Sequence, residues 1–138
     1  MGEVDHGDVQ TQIAVYLANH YPELWVGVEI RVQVRPTRFR VPDITLVLGS
    51  KLTTSIIMEP PLAVVEVILK EDRPSDLQER IEDYLGFGIP HIWTVSPRLR
   101  QAHIHTANEA FEVKDGMLRI NEPLIEAPLS RVFRPTQA

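Results

Sequence analysis

The sequence predicts an α/β fold in which a helix is followed by three strands, a second helix and a fourth strand, with a C-terminal strand and hairpin added to the sheet. Three observations carry that expectation. Apolar residues recur at helical spacing in two separate stretches, the chain between them alternates or runs apolar over strand lengths, and Pro or Gly marks most junctions. With 138 residues, 43% hydrophobic and 24% charged, the chain has the size and composition to sustain one core, so one domain over residues 1–138 is expected.

The first helix is expected from Gly7 to His20, where Val9, Ile13, Tyr16 and Leu17 line one face. Pro22 ends it. From Leu24 to Val34 the residues Leu24, Val26, Val28, Ile30, Val32 and Val34 alternate with a more polar set, the pattern of one half-buried strand. Arg35-Pro36-Thr37 makes a turn, and Arg38 to Leu48 reads as the returning strand of a hairpin. A polar loop, Gly49 to Pro61, leads to a third strand, Leu62 to Leu69, which is apolar on both faces as in a strand covered on both sides. Ser75, with Gln78 three residues on, forms a capping-box signature for a second helix whose apolar face is Leu77, Ile81, Tyr84 and Leu85. Gly86, Gly88 and Pro90 stop that helix, and His91 to Val95 resumes as a strand, so a right-handed parallel crossover is expected. Ala102 to Thr106 is read as a short strand. Phe111 to Val113, an Asp115-Gly116 turn and Met117 to Ile120 are read as a hairpin on the sheet edge.

Composition removes several function classes. Without cysteine there is no disulfide scaffold, Cys-ligated zinc, iron–sulfur cluster or Cys nucleophile, and a cytoplasmic location is the expectation. Acidic residues stand where a secretory leader needs a basic stretch, and no segment approaches about 20 apolar residues, so no membrane association is expected. A net charge of -5 argues against a surface given over entirely to nucleic acid, although Arg31, Arg35, Arg38 and Arg40 form a local basic stretch free of acids. Such a stretch suits backbone phosphate contacts; a solvated hairpin tip explains it as well. The sequence has no Gly-rich phosphate loop, dinucleotide fingerprint, nucleophile elbow or His-Glu-x-x-His helix.

Two carboxylates stand out by position. Glu66 interrupts the most apolar strand, where an unpaired carboxylate costs several kcal/mol or becomes protonated. Asp43, directly after Pro42, enters the preceding strand, and a neighbouring strand could hold it within a few ångströms of Glu66. Converging there, the two would offer oxygen ligands to Mg²⁺, which takes one or two carboxylates plus waters and substrate phosphates. Equally, Glu66 could pair with a buried Arg and Asp43 could cap a turn. His103 and His105 share one face of a strand, but two ligands without a third favour surface histidines.

The element order, with Pro42-Asp43 in the second strand and Glu66 inside the third, resembles the restriction-endonuclease-like core of the PD-(D/E)XK nuclease superfamily. More closely, the chain is similar to the restriction-endonuclease family called Uma-two. The matching pieces are His6-Gly7, Arg38 to Asp43, Pro60 to Val67, Glu71-Asp72-Arg73, Asp76 to Tyr84 and Gly88 to Trp93. That resemblance implies a nuclease hydrolysing phosphodiester bonds with Mg²⁺ or Mn²⁺, held by Asp43, Glu66 and the backbone carbonyl of Val67. It implies nucleic acid as partner, DNA first, bound with the help of Arg35, Arg38 and Arg40, and it leaves a homodimer open. Ile68 occupies the place of the superfamily's Lys, and the resemblance moves that cation to the following helix, at Arg80. Arg cannot serve as a general base, so its implied role is electrostatic. Lys70 is no substitute, because four residues of strand carry it about 13 Å from Glu66. The alternative is a catalytically inactive nuclease-fold module that binds or regulates, with Arg80 turned to solvent beside Asp76 and Asp83.

Overall fold

Alternation within a single strand decides how this molecule is layered. The computed structural model describes residues 3–135; Met1, Gly2 and residues 136–138, including the first two residues of the segment compared with a leader, lie outside the described part. In chain order the elements are α1 (Val4–His20), β1 (Leu24–Val28), β2 (Val32–Arg35), β3 (Arg38–Arg40), β4 (Ile44–Leu48), β5 (Ala63–Val67), α2 (Pro74–Phe87), β6 (His91–Ser96), β7 (Gln101–His105), β8 (Ala110–Glu112), β9 (Met117–Ile120), β10 (Ile125–Pro128) and the single turn α3 (Leu129–Val132). Six strands form one sheet in the order β1-β4-β5-β6-β7-β8, with β5 and β6 parallel and the other neighbours antiparallel.

Every residue of β5 is buried. Ala63, Val65 and Val67 face a cluster containing Val9, Ile13 and Leu17 of α1 and Leu118, Ile120 and Ile125 of the β9–β10 ribbon. Val64 points the other way, into a cluster with Ile81 and Tyr84 of α2, Ile92 of β6, and Val32 and Val34 of β2. The period of two therefore sends Glu66 to the α2 side.

The expected strand Leu24–Val34 is two strands, because Glu29 adopts a left-handed backbone at φ 55 and breaks the ladder. Tertiary contacts hold that kink: the Glu29 N–H donates to the Asp43 carbonyl at 3.1 Å, and its carboxylate accepts from Gln10 Nε2 at 3.2 Å. Leu24 packs on the α1 side while Val32 and Val34 pack on the α2 side, so one alternating pattern serves two cores. The expected return strand Arg38–Leu48 is likewise cut at Val41-Pro42-Asp43. β3 pairs with β2 in a separate ribbon, and β4 pairs with β1.

Two further expectations are corrected. Helix α2 starts at Pro74 with Arg73 as its N-cap and no side-chain cap, so Ser75 lies already inside the helix and closes no capping box; Pro74 sets the start through its fixed φ and missing N–H. Beyond Gly116, β9 pairs with β10 rather than β8. The expected C-terminal addition to the sheet is made by β7 and β8. At the other end of α2, Gly88 at φ 102 donates its N–H to the Leu85 and Tyr84 carbonyls, a left-handed stop that glycine adopts without strain.

Candidate metal and nucleic-acid site

Ile44 pairs with Val65, so Asp43 falls opposite Glu66 at the carboxyl end of β5. Asp43 Oδ2 accepts the Val67 N–H at 2.7 Å, and His6 Nε2 from the first turn of α1 lies 3.2 Å from Oδ1. Glu66 is met from α2. The Tyr84 hydroxyl donates to Glu66 Oε2 at 2.6 Å, and Arg80 Nε, one turn earlier, stands 3.3 Å from the same oxygen. The other end of the guanidinium, Nη2, is 3.5 Å from Asp72 Oδ2, which also accepts the Leu69 N–H at 2.9 Å. The buried Arg80 Nε makes no aligned hydrogen bond, so its attraction to Glu66 is mainly coulombic.

Burial pushes the Glu66 carboxyl up to about 7, and the neighbouring Asp43 carboxylate adds to the rise; the Tyr84 hydrogen bond and the Arg80 charge oppose it without cancelling it. Burial also raises Asp43 above the ordinary carboxylate range, against the Val67 N–H and His6. Tyr84 is raised by its own burial and by the adjacent Glu66 carboxylate, so it remains a hydrogen-bond donor. Two carboxyls in direct interaction and short of positive charge are a donor set that a divalent cation would relieve. Among the described residues no group of three or more His, Cys, Asp or Glu side chains is arranged to hold a metal. Two hard oxygen donors alone suit Mg²⁺, which keeps several waters and takes substrate phosphate oxygens, and do not suit a closed zinc centre.

The structure thus brings Asp43, Glu66, Val67 and Arg80 together. The sequence alternative that turned Arg80 toward Asp76 and Asp83 is not the arrangement found, because Asp83 is occupied. Its buried carboxylate receives Arg35 at 3.1 Å, Arg38 at 3.2 Å and Arg40 at 2.7 Å, and Arg40 also reaches Glu79 at 2.8 Å. Burial would raise Asp83, but hydrogen bonds from Arg40 and Arg38 outweigh it and hold the carboxyl below its ordinary range. The arginines are therefore neither a free hairpin tip nor part of the Glu66 site; they clamp the β2–β3 ribbon onto α2. Arg35 and Arg38 retain substantial exposure, with 62% and 42% of their side chains accessible. Of the two strand histidines, His105 Nε2 lies 3.1 Å from Thr94 Oγ1, and burial lowers its pKa.

Four functional candidates carried weak or no signal in sequence. Tyr84 read as core, His6 and Asp72 carried no role, and Asp83 read as a surface acid. The i, i+4 spacing of Arg80 and Tyr84 is the one clue that both could meet the same strand residue.

Comparison with known proteins places these observations. A family model, Uma2, described as "Putative restriction endonuclease", matches residues 1–132. Among solved structures, a protein described as a putative nuclease belonging to DUF820, from Anabaena variabilis, superposes with a TM-score of 0.78 over 96% of this chain and 82% of that one. Sequence identity is 15%, so that likeness is one of fold, and it matches the α/β core expected from the sequence. No curated protein matches this chain. Among the described residues no helix is long and apolar enough to cross a membrane.

Proposed function

Because the chain belongs to the Uma2 family of restriction-endonuclease-like proteins, we propose that it is a metal-dependent endonuclease that hydrolyses phosphodiester bonds of nucleic acid, DNA in first place, at Asp43 and Glu66. The observation that carries this reading is the convergence of those two carboxyls at the end of β5 with Arg80 against one of them. Asp43, Glu66 and the carbonyl of Val67 would hold Mg²⁺ or Mn²⁺. When bound, the ion supplies Lewis-acid activation of water and neutralises charge at the scissile phosphate.

The chain's own groups have separable tasks. The Val67 N–H and His6 fix the two oxygens of Asp43, and Tyr84 fixes one oxygen of Glu66, leaving its other oxygen to a ligand. Glu66, raised to about 7, is partly protonated at neutral pH without the ion, so binding there releases a proton. Arg80 is permanently charged. It stabilises negative charge developing on phosphate oxygens and takes no part in proton transfer. Arg35 and Arg38 offer their exposed N–H groups to flanking phosphates, while Arg40 keeps the ribbon in place on Asp83 and Glu79. One such site cuts one strand, so a pair of copies is the assembly that would sever a duplex.

The test is cleavage of single- and double-stranded DNA and RNA with Mg²⁺, Mn²⁺ or EDTA, using the parent and Asp43→Asn from one preparation protocol. Cleavage should need the ion and vanish in Asp43→Asn. Cleavage that persists in Asp43→Asn removes the assigned site, and a parent inactive with both ions removes the enzyme reading in favour of a non-catalytic module.

A further inference from the structure

A cleft of about 430 Å³ opens beyond the carboxyl ends of β5 and β6, between the start of α2 and the outward face of β7. It adjoins the carboxylate site by two routes. Asp72, part of its wall, contacts Arg80 at 3.5 Å, and Arg80 in turn stands 3.3 Å from Glu66. Glu66 also lies opposite Thr94, and Thr94 opposite His103 of the cleft, which places His103 two strand spacings, about 10 Å, from Glu66.

The walls combine two chemistries. Leu77, Pro97 and Leu99 present apolar surface, and Lys70 and Arg98 stand exposed at the rim. Among the described residues neither cation has a carboxylate partner, whereas two of the lining acids are engaged: Asp72 by the Leu69 N–H and Arg80, and Glu3 by the Lys70 N–H at 3.2 Å. Arg73 is paired with Asp76 at 3.2 Å. Asp5 is the third lining acid, so Lys70, Arg73 and Arg98 balance Glu3, Asp5 and Asp72 overall, and Lys70 and Arg98 are the two lining cations without a carboxylate partner among the described residues. A small, largely apolar cleft with two unpartnered cations at its lip suits a flat aromatic base attached to a phosphate, and the volume falls within the range of sites that enclose a ligand of that size.

Resting on the nuclease reading above, we propose that this cleft receives one unpaired nucleotide of the substrate strand, its base against Leu77, Pro97 and Leu99 and its phosphate on Lys70 and Arg98. The site would then engage a frayed or single-stranded segment rather than an intact duplex, with the adjoining phosphate directed to Glu66.

The binding titration that tests this needs neither metal nor cleavage. A single-stranded hexanucleotide carrying 2-aminopurine at one position is titrated into the full chain in EDTA by fluorescence, beside the same hexanucleotide made abasic at that position, a duplex version, and inorganic phosphate. The parent should prefer the base-bearing strand over the abasic one and over the duplex by about tenfold or more. Lys70→Glu with Arg98→Glu should weaken that binding by about tenfold or more, and Leu99→Ala should narrow the preference for the base. Mn²⁺ calorimetry on these variants should match the parent, since none touches the carboxylates. Equal binding of abasic and base-bearing strands, a preference for duplex, or unchanged binding in the charge-reversed variant overturns the cleft assignment. A loss of Mn²⁺ binding or cleavage in Asp43→Asn with the base preference intact speaks only to the metal site.

Discussion

Tyr84→Phe isolates the hydrogen bond that lets Glu66 ionise inside an apolar sheet. The 2.6 Å bond from the Tyr84 hydroxyl is shorter than the 3.3 Å approach of Arg80 to the same oxygen, and losing it leaves Arg80, coulombic and misaligned, as the opposing influence. A hydrogen bond to a charged group contributes about 1.5–3 kcal/mol, and a tenfold change in an ionisation constant corresponds to about 1.4 kcal/mol, so the variant should raise the carboxyl by roughly one to two pH units. Glu66 starts near 7, where roughly half is ionised at neutral pH; in Tyr84→Phe that fraction should fall to between about a tenth and a hundredth. Carbon-13 NMR of the Glu66 side-chain carboxyl in metal-free protein reads the titration directly, and Asp43→Asn in the same series should move it the opposite way. A Glu66 that titrates in the ordinary carboxylate range, or at the same pH in parent and Tyr84→Phe, refutes this account of the site's electrostatics.

Three more outcomes follow from the same contacts. In EDTA, the folded state holds the Glu66 proton up to about 7 while the unfolded chain releases it near 4.5, so this group makes stability fall as pH rises across that window; Glu66→Gln should flatten the fall and be more stable above it by up to roughly 3 kcal/mol in urea unfolding, whereas parallel profiles would contradict it. Asp83→Asn should cost about 2 kcal/mol in the same assay, a value discounted because Arg35 and Arg38 can return to solvent, and a loss well under about 1 kcal/mol would mean that the clamp contributes little. If the chain cleaves, Arg80→Lys should keep or raise the rate and Arg80→Ala should lower it about a hundredfold at similar substrate affinity; equal rates in all three would take the cation out of the mechanism.

What could be read from sequence was whatever local pattern dictates. Glu66 in a doubly buried strand, Asp43 after Pro42 and the helical face containing Tyr84 all follow from periodicity and burial, and the family resemblance supplied Arg80. What escaped depends on where the chain changes direction. Alternation from Leu24 to Val34 says which residues share a face, but not that Glu29 turns the backbone so that Leu24 and Val34 serve opposite sides of the sheet. The arginine run was visible as charge, yet its partner Asp83 is 43 residues beyond Arg40, and only the packing of the β2–β3 ribbon on α2 joins them. Tyr84 has the same character. An aromatic at a core position shows nothing of its hydroxyl until the facing strand is known.

Divalent-ion binding by the metal-free protein tests the central claim most directly, because it asks whether Asp43 and Glu66 form one cation site before any question of turnover. Titration calorimetry with Mn²⁺ at pH 8, where ionisation of Glu66 is favoured, should show one site in the parent with proton release that grows as the pH is lowered toward 7. Asp43→Asn and Glu66→Gln should each lose most of that affinity. Parent-like Mn²⁺ binding in both variants would contradict the claim that these two carboxyls are the metal ligands.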